Sequence, residues 1–314
     1  MPKRGTGKLE LPQEPFKSGF VSLVGRPNVG KSTLLNHLVG EKVAIVSAKP
    51  QTTRSVIRGF VTIPERAQIV FVDTPGIHKP RYLLSQQIVE QAMFVLGEVD
   101  WHLFLVDATA PPGKGDEFIA KALGEKCKRT FLLLNKTDRV SKQDRDRYLA
   151  EYTALGDFAD VLMISAKHTQ GLDGLKDRLV AKLPAGEPMY PEDEYTDQTT
   201  SMISAELIRE QVFRLTGEEI PHASSVYIEQ FEQRSEELTY IGAVIVVERP
   251  NQKAIVIGKN GLKLKEIGTA ARTSLQHFLG TKVFLELFVK VIPKWRDEHN
   301  RLRQLGYHSQ FDKP

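Results

Sequence analysis

Gly25-Arg26-Pro27-Asn28-Val29-Gly30-Lys31-Ser32, followed by Thr33, fits the spacing G-x-x-x-x-G-K-[ST]. These residue types suit a phosphate chain. Gly25 and Gly30 let main-chain N–H groups curl around phosphate oxygens where a Cβ would crowd them. Lys31 brings a point charge for the outer phosphates and Ser32 a hydroxyl for Mg²⁺, while a helix starting there turns its positive end toward the same anion. The bland reading of the stretch is a Gly-rich turn between a strand and a helix.

Four further loops carry matching chemistry. Ala48-Lys49-Pro50-Gln51-Thr52-Thr53-Arg54 holds two threonines, of which one can complete a Mg²⁺ shell and sense a γ-phosphate; Thr53 is the first choice and Thr52 the reserve. Asp73-Thr74-Pro75-Gly76 ends an apolar run, so Asp73 can hold Mg²⁺ through water and the Gly76 amide can meet the γ-phosphate. Lys31, Thr53, Asp73 and Gly76 thus form the expected reacting centre, with Ser32, Thr53 and Asp73 as its metal set. Asn135-Lys136-Thr137-Asp138 selects the base. The Asp138 carboxylate can accept from N1–H and the 2-amino group of guanine, a pair of donors adenine lacks, while Asn135 and Lys136 brace the loop. Ser165-Ala166-Lys167 would bring main-chain amides to the guanine O6.

These loops need strands behind them. Val21–Val24, Lys42–Ser47, Gln68–Val72, Trp101–Val106, Thr130–Leu134 and Val161–Ile164 read as strands, and helical spacing appears at Lys31–Leu38, Leu83–Gly97 and Phe118–Leu123. Alternation of this kind predicts an α/β, doubly wound, mostly parallel sheet with its ligand loops at the carboxyl edge.

On the D-T-P-G and N-K-x-D pair, this half resembles the translation-factor-like class of P-loop GTPases. The resemblance implies GTP and GDP as ligands with Mg²⁺. It also exposes a departure: Ile77 follows Gly76 where Ras-like enzymes carry a Gln that orients water. Slow intrinsic hydrolysis, completed by another group or a partner, is the expectation. Asn28 is similar to the Asn that potassium-assisted GTPases use, which implies K⁺ as a further ligand.

With 314 residues the chain has room for two domains, and its charged fraction of 26% is ordinary for a globular protein. Cys127 is its one cysteine, which excludes an internal disulfide framework and a Cys-based zinc site. The polar stretch from Met1 to Ser18 lacks the apolar core of a secretory signal and reads as a flexible arm. No apolar run approaches the roughly 20 residues of a membrane span, so a cytoplasmic protein is expected.

Residues 184–200 fall within an aperiodic acidic, proline-rich stretch and read as a linker between a domain at 19–183 and another at 201–314. Beyond it come a helix at Met202–Leu215, strands at Ser225–Phe231 and Ile241–Val247, and a β-like run at Ala254–Ile257. Gly258-Lys259-Asn260-Gly261 follows, then a basic helix to about Leu279, a strand at Phe284–Val291 and a basic helix at Lys294–Leu305. A G-x-x-G loop can clamp single-stranded nucleotides, with Ile257, Gly258, Lys259, Asn260, Gly261, Lys263 and Lys265 as the expected RNA contacts. Charge is partitioned accordingly. Residues 201–248 hold 3 Lys and Arg against 9 Asp and Glu, a net of −6, whereas 249–314 hold 13 against 5, a net of +8. Arg272, Lys282, Lys290, Lys294 and Arg296 are plausible phosphate contacts; Phe278, Phe284, Phe288 and Trp295 are assigned to the core rather than to base-stacking platforms.

The flanking pattern resembles the α+β type II KH fold, and the whole order, GTPase domain, acidic linker, KH-like domain, resembles the Era family. That resemblance implies a monomeric GTP-hydrolysing switch that binds the 3′ region of 16S ribosomal RNA and assists 30S subunit maturation, with peripheral association at the inner membrane face. Two rivals are weighed: an RNA-binding scaffold with a non-catalytic nucleotide site, and a related tRNA-modification GTPase. The second would need a reactive cysteine near the C-terminus, and Cys127 is not there.

Overall fold

A computed structural model describes residues 15–47, 49, 52–76, 82–217 and 219–307. The first half runs β1 (Lys17–Val24), α1 (Lys31–Val39), β2 (Ile57–Ile63), β3 (Ala67–Asp73), α2 (Leu83–Glu98), β4 (Trp101–Asp107), α3 (Lys114–Leu123), β5 (Thr130–Asn135), α4 (Lys142–Thr153), β6 (Asp160–Met163) and α5 (Leu172–Lys182). The strands form one sheet in the order β2-β3-β1-β4-β5-β6, parallel except for the β2–β3 pair. Every residue of β3 and β5 is buried, as helices on both faces of a parallel sheet require. The crossing order brings the carboxyl ends of β1, β3, β5 and β6 to one edge, and the predicted loops leave from there.

The second half runs α6 (Thr200–Leu215), α7 (Glu219–Ala223), β7 (Ser225–Ser235), β8 (Leu238–Val247), α8 (Pro250–Ile257), α9 (Leu262–Leu279), β9 (Lys282–Val291) and α10 (His299–Gln304). Its sheet has the order β7-β8-β9, with β7 antiparallel and β9 parallel to β8. Ile203, Leu207 and Val212 of α6 and Ile267, Ala271 and Leu275 of α9 pack with Ile241, Ala243 and Ile245 of β8 to form its core.

The acidic, proline-rich stretch is strapped to the first sheet. Tyr190 stacks on Phe60 at 3.8 Å between ring centres, and the Gln68 side chain accepts from Met189 N at 2.7 Å and donates to Tyr190 O at 2.8 Å. Its course across β2 and β3 sets where the second half begins.

Four sequence readings change. Lys42–Ser47 is not a strand: the Asn36 side chain accepts from Val43 N and Ala44 N and donates to Ala44 O at 2.8 Å, taking the bonds a neighbouring strand would make. Ile57–Ile63, which carries Arg58, Gly59 and Thr62 among its apolar residues, is the strand instead. Ala254–Ile257 lies in a helix, α8, started by Pro250 at its first turn with the Gln252 side chain accepting from Glu248 N and Arg249 N. A four-residue apolar run does not distinguish strand from helix. Lys294–Leu305 is broken: Lys294 takes a left-handed φ of 52°, Trp295–Asp297 form a single tight turn, and α10 starts only at His299. The buried Trp295 indole, donating to Ala223 O at 3.1 Å, holds the chain at that break.

Candidate nucleotide and RNA sites

The loop between β1 and α1 is a cradle a larger residue would fill. A Cβ on Gly25 would lie 2.4 Å from Leu105 O, and one on Gly30, at φ 110°, 2.3 Å from Asn135 Nδ2. Asn28 also has a left-handed φ, of 65°. Pro27, Asn28, Gly30, Lys31, Ser32 and Thr33 line a cavity of about 390 Å³ that Ile45–Ser47, Thr52, Thr53, Gly76 and Lys136 complete. The Lys31 ammonium sits inside, donating to Gly25 O at 3.0 Å and Arg26 O at 3.1 Å. Arg26 turns away from the cavity and pairs with the buried Asp116 at 2.8 Å, tying the loop to α3. Val29 is buried and gives its carbonyl to Asn135 Nδ2 at 2.7 Å.

Three oxygen donors from three loops converge at the start of α1. Ser32 Oγ donates to Asp73 Oδ2 at 2.8 Å and lies 3.0 Å from Thr53 Oγ1. Thr53 is 3.5 Å from the same carboxylate, whereas Thr52 turns its hydroxyl to Lys49 O, so the geometry favours the first choice over the reserve. Asp73 is fully buried and its Oδ1 has no protein partner. Burial pushes its carboxyl up to about 6, against the opposing pull of Lys31 and the two hydroxyls. Burial likewise pushes the Lys31 ammonium down, opposed by Asp73. A divalent cation with oxygen ligands fits this donor set, and a phosphate chain beside Lys31 would offset the second penalty. Among the described residues Gly76 lies beside Pro27, where an added Cβ would come within 2.9 Å of Cγ. Ile77 lies outside the described residues.

The loops of Asn135–Asp138 and Ser165–Lys167 meet. Asn135 Oδ1 accepts from Ala166 N at 2.9 Å while its Nδ2 reaches the phosphate loop, so one amide joins three loops. Lys136, at φ 66°, donates to Asp107 Oδ2 at 2.6 Å, which stretches its stem along the cavity. Ser165 Oγ donates to Asp138 Oδ1 at 2.6 Å and holds that carboxyl below the usual range. Lys167 is exposed at the rim. Sequence reasoning missed Asp107, Asp116 and His168, whose Nε2 lies 3.7 Å from Asp138; only the position of Asp107 at a strand end offered a signal.

In the second half Gly258, Asn260 and Gly261 have φ of 71°, 52° and 76°, which lets the chain reverse between α8 and α9. Gly258 has no room for a side chain, since a Cβ would lie 2.5 Å from Lys263 Cβ. Ile257 closes α8; Lys259 and Lys265 are exposed, and Lys263 pairs with Glu266 of its own helix at 2.7 Å. Beside this loop runs a groove of about 440 Å³ between α9 and β9, lined by Gly261, Leu264, Lys265, Arg272, Leu285 and Leu287 among others. Arg296 is no free phosphate contact: it pairs with Glu248, donates to His222 O at 3.1 Å and covers the Tyr82 ring. Trp295 is core, and Phe278 packs partly buried against the α6, β8 and α9 core, but Phe284 and Phe288 are 51% and 55% exposed, so their assignment to the core is wrong.

The two halves meet beside Thr53. Arg54, next to Thr53, donates to Ser224 O at 2.7 Å and Pro221 O at 2.6 Å. Lys49 donates to Thr216 O at 2.6 Å and also to Phe213 O. From the other side, Arg209 of α6 donates to Thr52 O, and Glu210 accepts from Lys42 Nζ at 2.6 Å and Val46 N at 3.2 Å. Leu84 and Ile88 of α2 join Val244, Val246, Trp295, Leu302 and Tyr307 in one buried cluster.

Known proteins match both halves. Residues 20–136 match the family described as 50S ribosome-binding GTPase, and residues 219–296 match the KH domain family. The chain is 44% identical over 299 residues to GTPase Era of Heliobacterium modesticaldum, and 46% identical over 298 residues to that of Geobacter metallireducens; each match covers 95% of this chain and 100% of the relative. A crystal structure of an Aquifex aeolicus Era variant bound to GDP and AlF₄⁻ superposes with a TM-score of 0.88 at 40% identity, over 93% of this chain and 99% of that one. Era in complex with MgGDPNP and nucleotides 1506–1542 of 16S ribosomal RNA superposes at 0.89, with the same identity and coverage. At that identity over that length, the chain belongs to the GTPase Era family, a P-loop GTPase domain followed by a KH domain.

Proposed function

We propose that this GTPase is a switch whose nucleotide state sets the affinity of residues 201–314 for the 3′ region of 16S ribosomal RNA, and that it assists maturation of the 30S subunit as a monomer in the cytoplasm. The observation that carries the reading is the grip of the second half on Lys49, Thr52 and Arg54. Lys49, Thr52 and Arg54 are all bonded to α6, α7 or the residues beside them, and Thr53 lies within the gripped segment. Any movement of Thr53 toward or away from the metal set therefore strains or relaxes contacts with the RNA-binding half. That is the differential contact a population shift needs.

Within the site, Lys31 and the main-chain N–H groups of residues 25–33 other than Pro27 hold and orient the phosphates, Asp138 orients the base, and Ser32, Thr53 and, through water, Asp73 would hold Mg²⁺. Bound there, Mg²⁺ supplies positive charge to the phosphate oxygens. K⁺ beside Asn28 and peripheral association with the inner membrane face belong to the same proposal. The first is checked by comparing turnover in potassium and sodium buffers, the second by fractionating cells in low and high salt.

The main test measures RNA affinity with GDP and with a non-hydrolysable GTP analogue, both with Mg²⁺. The expected result is tighter binding with the analogue and, by reciprocity, tighter analogue binding with RNA. Equal affinities in the two states would reject direct coupling. Lys31→Ala separates the scaffold reading: a scaffold keeps its cellular activity, while a switch loses it with GTP binding.

A further inference from the structure

β9 is an edge strand, and its two faces differ. Leu285 and Leu287 point to α9 and floor the G-x-x-G groove. The alternate residues, Lys282, Phe284, Glu286, Phe288 and Lys290, share the opposite face, because side chains repeat every second residue along a strand. The two phenylalanines stand in solvent on this face, although burying rings of that size is one of the larger gains available to a fold. Phe284 is held upright by its neighbours. Tyr240, opposite Phe284 in the β8–β9 register, stacks with it at 5.9 Å and 19°, is covered by Arg234 at 4.1 Å and donates to Glu286 Oε2 at 2.8 Å. Val244, opposite Phe288, is buried under the cluster of Trp295 and Leu302.

We propose that Phe284 and Phe288 form a base-stacking platform on which the RNA continues after it leaves the G-x-x-G groove. The inference rests on the RNA-binding reading of the second half. Only the width of one edge strand separates the groove from the platform, so a chain bound in the groove has a short path onto it. The two rings are four residues apart, about 13 Å along the strand, which two steps of an extended single strand can span. Lys290 at one end of the stripe suits a phosphate, Lys282 at the other end shares its ammonium with Glu237 at 3.4 Å, and the Glu286 carboxylate between the rings suits exocyclic amino groups of bases. Aromatic rings on an open sheet face are one of the recurring ways proteins hold unpaired bases. A protein partner is less well matched, because charged residues interrupt the apolar ones at every second position, where the centre of a protein interface is depleted of charge.

The test uses the full chain with Mg²⁺, a non-hydrolysable GTP analogue and labelled RNA of the sequence 1506–1542, titrated by fluorescence anisotropy at several salt concentrations. Phe284→Ala and Phe288→Ala are each expected to weaken binding roughly tenfold, and together about a hundredfold. The slope of affinity against salt should stay unchanged, because no phosphate contact is lost. The pair Phe284→Tyr with Phe288→Trp should keep the affinity, whereas Phe284→Leu with Phe288→Leu should lose it as the alanines do. In the unmutated protein, 2-aminopurine placed at unpaired positions of the RNA should be quenched on binding. An alanine pair within twofold of the unmutated protein, a leucine pair that binds normally, or no quenching at any position overturns the platform. So does an alanine pair that converts a dimer to a monomer with RNA affinity intact, which would assign the face to a second copy of the chain. If the unmutated protein binds no RNA, the RNA-binding reading falls first and the platform with it.

Discussion

In the proposed site, base choice is concentrated at Asp138. Its Oδ1 already accepts from Ser165, which fixes the carboxylate and keeps it ionised, and guanine offers two parallel donors to what remains. Asp138→Asn replaces an acceptor pair by one acceptor and one donor, so one of the guanine donors faces an N–H. A donor that faces another donor loses its hydrogen bond, and the charge that strengthened that bond is lost with it. We expect GTP affinity to fall by roughly a hundredfold or more and affinity for xanthosine triphosphate, which carries a 2-oxo group, to rise. Titration of both nucleotides into the variant checks this; unchanged GTP affinity would move the base elsewhere. Asp138, Lys31, Ser32 and Asp73 were legible because motif spacing encodes loop conformations that few residues tolerate. Asp107, His168 and Arg209 were not: each acts through a neighbour 29 to 157 positions away that only the fold supplies.

Elements buried on both faces announce themselves by continuous apolar runs, and β1, β3, β4 and β5 were readable for that reason. The polar residues inside such runs are the informative exceptions. His102 lies within β4, 2% exposed, with Nδ1 2.8 Å from Ser22 Oγ on the paired strand β1. Burial, reinforced by Lys126 and Arg129, pushes its imidazole down to about 4. The neutral ring is therefore the folded form. Its contribution is complete above the ordinary histidine value of about 6.5 and is lost as pH falls toward 4, because the unfolded chain takes up the proton first. A shift of that size is worth up to about 3 kcal/mol at pH 4, with a slope no steeper than about 1.4 kcal/mol per pH unit. Urea unfolding at pH 7, 6 and 5 should show stability falling more steeply for the unmutated protein than for His102→Asn. Parallel slopes would mean that another group carries the acid sensitivity. Patterning failed where backbone pairing came from elsewhere: Val43 and Ala44 bond to the side chain of Asn36, and the mixed sequence of β2 becomes a strand because β3 lies beside it.

The arrangement of the two halves was outside the reach of the sequence, since nothing in Thr52-Thr53-Arg54 says what will touch it. Both sides of Thr53 are held by the second half, through Arg209 to Thr52 O and through Arg54 to the carbonyls of Pro221 and Ser224; the two guanidinium groups also flank the Phe213 ring, at 4.9 and 5.7 Å. If these bonds transmit the nucleotide state, removing them should separate two quantities that are joined in the unmutated protein. Coupling of this kind amounts to roughly 1–3 kcal/mol, or about 5- to 150-fold in affinity. In Arg54→Ala the ratio of RNA affinity with the GTP analogue to that with GDP should fall toward one, while the G-x-x-G groove, distant from the change, keeps its affinity in one of the two states. Arg54 lies outside the phosphate cradle, so nucleotide affinity without RNA should shift far less than the ratio does. The buried guanidinium also supports the fold, so thermal melting accompanies each titration, and Lys49→Ala, at the less buried end of the grip, gives a milder second case. A ratio unchanged in both variants, with RNA and nucleotide still bound, would place the coupling in the packing of Leu84 and Ile88 on Val244 and Trp295, leaving the grip on Lys49, Thr52 and Arg54 as an anchor between domains.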